Sequence, residues 1–242
     1  LGMALYLNPQ SDRARFLLAQ ELGEMGQKQS AFEQLATIDR NGIWGQPRLL
    51  LEINLDRPDN IELAIDRLQG SLSKDQKNAF LQKELGDLYR VSNQLSKARD
   101  AYLTAISLGF KSADLDRNLA ISYEQLEEDQ LAEDSFKAAL RKNPKDPFTL
   151  NYLGYWWADD GRNLEDAIEL IERAVRLRPR SGYFVDSLGW VHFKLGNFDL
   201  AVAFLEQATI LEPADAVISS HLGDAYWKIG RFTEARFKWQ YA

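Results

Sequence analysis

The stretch that decides the fold is residues 182–215, GYFVDSLGWVHFKLGNFDLAVAFLEQATILEPAD. Within it Gly189 follows a leucine, alanines stand at Ala201 and Ala208, and Pro213 comes near the end. The same arrangement recurs along the chain at steps of 34 or 35 residues. A fixed period of this length is typical of a repeat protein in which each repeat is one supersecondary unit.

Four series of residues define the frame of the repeat. A small residue follows a leucine at Gly86, Ala120, Gly154, Gly189 and Gly223; an alanine recurs at Ala31, Ala64, Ala98, Ala132, Ala167, Ala201 and Ala235; a second recurs at Ala105, Ala139, Ala174, Ala208 and Ala242; and proline follows at Pro144, Pro179 and Pro213. Two antiparallel helices approach closely only where a small residue meets a large one, so the small residues predict the seam of a helix pair. Proline predicts where the second helix ends, because it lacks the N–H that a helix needs.

These positions resemble the tetratricopeptide repeat, which also places an aromatic residue after the glycine and a large residue in the second helix. The aromatic position holds Tyr89, Tyr123, Trp157 and Tyr226, with His192 as the exception, and the large position holds Tyr102, Phe136, Ile171, Leu205 and Trp239. The resemblance implies an all-α fold: a right-handed superhelical solenoid of about seven antiparallel helix pairs.

We predict that residues 1–242 form a single solenoid. Residues 1–11 would be the tail of a preceding repeat, with Ala4 and Pro9 in frame, and the repeats would span 12–45, 46–78, 79–112, 113–146, 147–181, 182–215 and 216–242, the last incomplete. The second repeat is degenerate, because Glu52 occupies its small position and Pro58 falls in its internal turn. One extra residue lengthens the turn at 158–163, which we interpret as a tolerated insertion.

Composition narrows the classes of function. The net charge of −7 and the pI near 5.0 argue against nucleic-acid binding, which needs a basic surface. No apolar run approaches the length of a membrane-spanning helix. The chain has no cysteine, so it forms no disulfide and no thiolate site, and this leaves the compartment undecided. Because it begins with Leu1, we expect a fragment of a longer protein whose localisation cannot be read from this stretch.

No catalytic motif is present, so we predict that the chain is not an enzyme and uses no cofactor and no metal. It has neither a phosphate-binding glycine loop nor the ligand spacing of a zinc site around its two histidines, His192 and His221. His192 stands in the aromatic position and is expected to be a packed ring. Ser220 precedes His221 directly, and neighbours on a helix point about 100° apart, so the hydroxyl does not face the imidazole.

The family resemblance implies that four positions of each first helix line a concave inner groove. The third and fourth repeats would supply a mixed charged wall that includes Lys83 and Arg117. The fifth to seventh would supply Phe148, Asn151, Tyr155, Tyr183, Asp186, Trp190, Phe193, Asp224 and Trp227. These rings lie outside the positions that pack the repeat, and rigid rings beside a few polar groups suit a protein-binding surface. The alternative is that some of them pack between adjacent first helices.

We therefore expect an interaction scaffold or adaptor that binds a partner protein or extended peptide in this groove. One subclass of tetratricopeptide repeat proteins binds a C-terminal carboxylate with a lysine and an asparagine of one repeat. Lys83 fits the lysine position, but Asp87 stands at the asparagine position, so the sequence does not predict this clamp. One alternative is a self-assembling scaffold, a homo-oligomer joined through the terminal repeat. Another is the regulatory region of a longer enzyme.

Residues 148–242 carry a narrower resemblance, through NYLGY at 151–155, DSLGWV at 186–191 and HLGD at 221–224. They are similar to the terminal repeats of bacterial lipoproteins that serve as adaptors for a carboxyl-terminal processing protease. This implies a periplasmic protein held to the membrane by a lipid-bearing cysteine, an anchor absent from this chain. A cytoplasmic protein is the alternative.

Overall fold

The computed structural model describes residue 8 and residues 10–240. These residues form fourteen α-helices and no strand: α1 (Asp12–Glu24), α2 (Lys28–Ala36), α3 (Gly45–Asp56), α4 (Ile61–Leu72), α5 (Ala79–Val91), α6 (Leu95–Ser107), α7 (Ala113–Gln125), α8 (Asp129–Lys142), α9 (Pro147–Asp159), α10 (Leu164–Leu177), α11 (Gly182–Lys194), α12 (Phe198–Leu211), α13 (Ala216–Lys228) and α14 (Phe232–Trp239). The predicted all-α fold is confirmed. The predicted tail at residues 1–11, with Ala4 and Pro9, falls largely outside the described residues, as does Ala242. None of the described helices is both long enough and apolar enough to span a bilayer.

The chain divides into two compact units. Unit 1 holds residues 10–111 and Ile121–Glu128, and unit 2 holds Ser112–Ala120 and residues 129–240. In unit 1, α1 packs against α2, α3 against α4, and α5 against α6. In unit 2 the pairs are α9 with α10, α11 with α12, and α13 with α14, and each of the first helices α9 and α11 also contacts the next first helix. The division of the chain into one solenoid with the boundaries given above stays a prediction.

The seam of each regular pair is a small residue against a large one, as the sequence predicts. A Cβ added to Gly86 would lie 2.5 Å from the Tyr102 ring, and one added to Gly189 would lie 2.6 Å from Leu205. Tyr102 and Leu205 are fully buried. The helices of these pairs are therefore close enough that no side chain fits at the glycine.

Several first helices begin at a residue whose side chain replaces the missing helical hydrogen bond. Side-chain oxygens accept a hydrogen bond from a backbone N–H of the first turn at Ser11, Asn60, Asn78, Asp146 and Asp215. Such caps are each worth about 1 kcal/mol. Four of these caps precede a first helix and one, Asn60, precedes the second helix α4, so polar residues fix where these helices start.

The turn inside most pairs contains one residue with a positive φ, and Glu127 is the least suited to it. The φ angles are 75° at Gly26, 59° at Asn93, 61° at Glu127, 68° at Gly161, 79° at Gly196 and 82° at Gly230, and the turn with Gly161 has a second such residue, Asn163, at 49°. A side chain in this left-handed region costs about 1–2 kcal/mol unless the residue is glycine or, to a lesser degree, asparagine. Glu127 therefore carries more local strain than the glycines and asparagines of the other turns.

We expect Glu127→Gly to raise the free energy of unfolding by about 0.5–1 kcal/mol, because glycine adopts the left-handed conformation without a steric cost. Urea denaturation followed by circular dichroism measures this. Asp134→Gly is the matched control, since Asp134 is exposed in the interior of α8, and there glycine should lower stability. Equal losses in both variants would contradict the strain at Glu127.

Candidate functional site

The predicted aromatic groove lies on three neighbouring first helices of unit 2. α9 carries Phe148, Asn151 and Tyr155; α11 carries Tyr183, Asp186, Trp190 and Phe193; and α13 carries Asp224 and Trp227. α9 contacts α11, and α11 contacts α13. We call these nine residues together the aromatic face.

A buried polar pair stands at the centre of the aromatic face. His221 Nδ1 lies 3.0 Å from Asp186 Oδ1 and 3.1 Å from Asp186 Oδ2, and both side chains are buried. The pair joins α11 to α13 across two repeats. Because a buried polar group is costly unless it has a partner, this contact fixes the relative placement of the two helices.

Trp190 covers this pair and is itself packed. Its ring stacks on His221 with 4.1 Å between centroids and on Phe193 with 4.9 Å, and its Nε1 donates to Asp159 Oδ1 at 3.1 Å. The side chain is only 8% exposed. The expectation that the rings lie outside the packing of the repeats is therefore wrong for Trp190, and the alternative, packing between first helices, is confirmed for it.

Tyr155 and Asn151 extend the polar centre onto α9. The Tyr155 ring lies 6.4 Å from the His221 ring, and burial, with the carboxylates of Asp159 and Asp186, raises the pKa of its hydroxyl to about 12. Tyr155 is therefore a neutral hydrogen-bonding group at physiological pH. Asn151 has a buried side-chain oxygen with no hydrogen-bond partner among the described residues. It is a buried acceptor whose hydrogen-bonding capacity the described residues leave unused.

The first edge of the aromatic face is formed by Phe148, which is 47% exposed and lies between two cations. Arg178 lies 4.6 Å from the centroid of its ring and Arg117 lies 6.0 Å from it. Arg117 Nη1 also donates to Asp146 Oδ2 at 2.8 Å. Burial opposes ionisation of Asp146, but hydrogen bonds from Thr149 and Arg117 outweigh it and lower the pKa of the carboxyl. The ion pair holds Arg117 beside the ring.

Tyr183 and Trp227 are the other exposed rings of the aromatic face, at 55% and 45% exposure. Trp227 packs edge-on against Phe232 with 4.6 Å between centroids. Asp224 accepts a hydrogen bond from Trp239 Nε1 at 3.0 Å, which ties α13 to α14. Tyr183 and Trp227 thus present large apolar surface to solvent from helices that are held in place by their neighbours.

Lys83, the remaining predicted residue, lies on α5 in unit 1. Its ammonium group lies 2.8 Å from Asp87 and 3.0 Å from Glu84 in α5. Burial lowers the pKa of Lys83, but hydrogen bonds and attraction from these carboxylates outweigh it, so the pKa is raised. Its predicted role in partner binding rests on the sequence alone.

The described residues contain neither a serine hydrogen-bonded to a histidine nor a cluster of metal ligands. Neither Ser219 nor Ser220 forms a side-chain hydrogen bond to His221 anywhere in residues 10–240. His192 stacks on Phe204 with 5.4 Å between centroids, and burial lowers its pKa despite Glu172 nearby. No group of three His, Asp or Glu side chains that could hold a metal occurs in this part of the chain.

Sequence reasoning missed the Asp186–His221 pair. The two residues are 35 positions apart, one repeat period, on facing sides of adjacent first helices. A charged residue and a histidine one repeat apart is the signal that could have found it.

Comparison with known proteins identifies a family. A profile of the tetratricopeptide repeat matches residues 83–147, 158–216 and 187–242, which together exceed half of the chain. The TPR repeat-containing protein PA4667 of Pseudomonas aeruginosa is 28% identical over 189 residues. That match covers 76% of this chain and 32% of the relative, so the chain spans about a third of the length of that protein.

Solved structures show a similar fold at low sequence identity. A chain from the APC/C hetero-tetramer Cut9–Hcn1 is 19% identical with a TM-score of 0.76, covering 98% of this chain and 47% of that one. PilF of Pseudomonas aeruginosa is 20% identical with a TM-score of 0.60, covering 70% and 76%. YrrB, described as a TPR protein with an unusual peptide-binding site, is 18% identical with a TM-score of 0.55, covering 90% and 94%.

Proposed function

Because this chain belongs to the tetratricopeptide repeat family, we propose that it is a scaffold that binds a partner protein or an extended peptide on the aromatic face of unit 2. The observation that carries the proposal is the exposure of Phe148, Tyr183 and Trp227 on a face whose centre is rigidly packed. Phe148 packs on Phe184 and Trp227 packs on Phe232, and rings held in this way lose little conformational entropy on binding. Large aromatic residues dominate protein interfaces.

The chemistry of the face suggests what the partner carries. Phe148 offers an apolar contact, and Arg178, which lies over it, makes no ion pair with any described residue. A partner segment with an apolar side chain next to a carboxylate would satisfy both.

Two relatives by fold give the proposal context. The structure of YrrB is described as having a peptide-binding site, and the chain similar over 98% of this sequence comes from a hetero-tetramer. Those descriptions concern those proteins. For this chain they support the choice of a protein or peptide over a small molecule as the ligand of the aromatic face.

The proposal is tested with peptides selected on the immobilised chain from a display library. Fluorescence anisotropy then compares the parent with Tyr183→Ala and Trp227→Ala. We expect each variant to weaken binding by roughly tenfold or more, since hot-spot residues at interfaces are worth 2 kcal/mol or more. Leu200→Ala is the matched control, because Leu200 is equally exposed on the second helix α12. Equal losses in all three variants, or none, would overturn the assignment.

The narrower function rests on the resemblance of residues 148–242 alone: an adaptor for a carboxyl-terminal processing protease. The aromatic face lies wholly within that stretch. Under this proposal a purified protease of that class binds the parent chain and binds Tyr183→Ala at least about tenfold more weakly. If the protease does not bind, or binds Tyr183→Ala as tightly as the parent, the adaptor role is rejected. The scaffold proposal then depends on the peptide experiment alone.

A further inference from the structure

Unit 1 contains a pocket that the proposed function does not use. It has a volume of about 610 Å³ and lies between α3, α4 and the start of α5. This volume is in the range of pockets that hold small molecules. The pocket is part of the degenerate second repeat, where Glu52 stands in the position that is small in the other pairs.

Glu52 changes the chemistry of the seam between α3 and α4. Where Gly86 lets Tyr102 approach in the next pair, Glu52 instead accepts from Arg48 Nε at 2.8 Å and from Arg67 Nη1 at 3.4 Å. Glu52 is 7% exposed and Arg48 is 4% exposed. A buried carboxylate needs such partners, so the seam here is an ion-pair network in place of an apolar contact.

The walls of the pocket have hydrogen-bond donors in excess. Four cationic side chains line it, Arg40, Arg48, Arg67 and Lys74, against the two carboxylates Glu52 and Asp75. A third carboxylate, the buried Asp56, pairs with Arg67 Nε without lining the pocket. Both oxygens of Glu52 are already used by Arg48 and Arg67. The Nη2 groups of those two arginines form no hydrogen bond with any described residue. A ligand that fills the pocket must therefore be rich in acceptors.

Arg40 and Lys74 add unneutralised charge. Neither makes an ion pair with any residue in the described part of the chain. The chain as a whole carries a net charge of −7, so a pocket with more cations than carboxylates is set against the general trend of the protein. Guanidinium groups present planar pairs of donors that match carboxylate and phosphate oxygens.

Gly70 keeps one wall of the pocket free of a side chain. It lies in the last turn of α4, and nothing lies within 4 Å of the place where its Cβ would be. A side chain substituted at Gly70 would therefore enter open space at the wall of the pocket.

We propose that this pocket binds a small, multiply charged oxyanion, a phosphate or carboxylate compound, through the guanidinium groups of Arg48 and Arg67 with Arg40 and Lys74 at its rim. The buried Glu52 network holds the two inner arginines in position, and the rim cations attract the anion. This binding is separate from the partner site on the aromatic face.

The test is isothermal titration calorimetry of the whole chain with inorganic pyrophosphate and, separately, with citrate. Lys74→Gln and Arg40→Gln are each expected to weaken binding about fivefold to tenfold, because each removes a charge-assisted contact. Lys77→Gln is the matched control: it changes the net charge equally, and Lys77 does not line the pocket. Its affinity should stay within about twofold of the parent. Tighter binding of pyrophosphate would indicate that the natural ligand is a phosphate compound, and tighter binding of citrate would indicate a carboxylate compound.

A second pair of variants separates the pocket from folding. Gly70→Glu places a carboxylate inside the pocket and is expected to abolish binding, whereas Gly70→Ala is expected to retain it and to raise the melting temperature. Tyr183→Ala is expected to bind the oxyanions as the parent does, which distinguishes this site from the partner site. No heat with either anion, or equal weakening in Lys77→Gln and Lys74→Gln, would overturn the proposal.

Discussion

Replacing Trp190 by alanine is expected to lower the free energy of unfolding by about 3–5 kcal/mol. The ring is 8% exposed and stacks on both His221 and Phe193, so its removal leaves a cavity at the centre of three helices. It also removes the hydrogen bond to Asp159 and uncovers the Asp186–His221 pair. Urea denaturation followed by circular dichroism measures the loss.

Trp190→Phe is the control for Trp190→Ala. Phenylalanine retains an aromatic stack but loses the Nε1 donor to Asp159. We expect the lost hydrogen bond to lower the free energy of unfolding by only about 1 kcal/mol, and the smaller ring to leave a smaller packing defect than alanine does. A Trp190→Ala variant as stable as the parent would show that the stack is not part of the core. The expected instability also means that lost partner binding in Trp190→Ala cannot be assigned to a lost contact, whereas Tyr183→Ala leaves the core intact.

Gly86→Ala is expected to destabilise the chain by about 1–3 kcal/mol, although alanine is the better helix former. The added Cβ would lie 2.5 Å from the ring of Tyr102. That ring cannot move aside easily, because it is fully buried and its hydroxyl donates to Asp87 Oδ1 at 2.7 Å. The helices α5 and α6 must separate to admit the methyl group.

Gly70→Ala makes the same chemical change, but we expect it to raise the free energy of unfolding. With nothing within 4 Å of the new methyl group, only the gain in helix propensity remains, about 0.5–1 kcal/mol. Thermal and urea denaturation of the two variants side by side give the comparison. If Gly86→Ala were as stable as the parent, close approach at the seam would not be what the small position provides.

The helix pairs could be predicted from sequence because their cause is local and periodic. Gly86 and Tyr102 belong to one pair, and their contact follows from the geometry of two antiparallel helices. The same relation recurs between Gly189 and Leu205, so a single rule covers most of the chain. Such a rule needs only the identity of the residue at each position of the repeat.

The character of the aromatic face could be predicted only in part. Position in the repeat places Trp190 and Tyr183 on the same helix, but it does not say that one ring is buried and the other exposed. That difference depends on His221 in the next repeat, which offers Trp190 a flat partner and Asp186 a hydrogen bond. Contacts between repeats are set by particular side chains, which the period does not constrain.

In the degenerate second repeat, too, the contacts could not be predicted from the sequence. Glu52 breaks the small-residue rule, and from sequence this indicates only a weak repeat. The structure retains the helix pair and satisfies Glu52 with Arg48 and Arg67, two residues that no repeat position requires. Compensation of this kind depends on the reach of long side chains, so it is visible only once the backbone is placed.

The most direct test of partner binding on the aromatic face is site-specific photo-crosslinking. A benzophenone amino acid placed at Tyr183, which is 55% exposed on α11, is compared with one at Ile210, which is 79% exposed on the second helix of the same pair. With a peptide selected on the parent chain, we predict a crosslinked product from position 183 and none from position 210. A product from position 210 alone, or equal yields from both, would contradict the account.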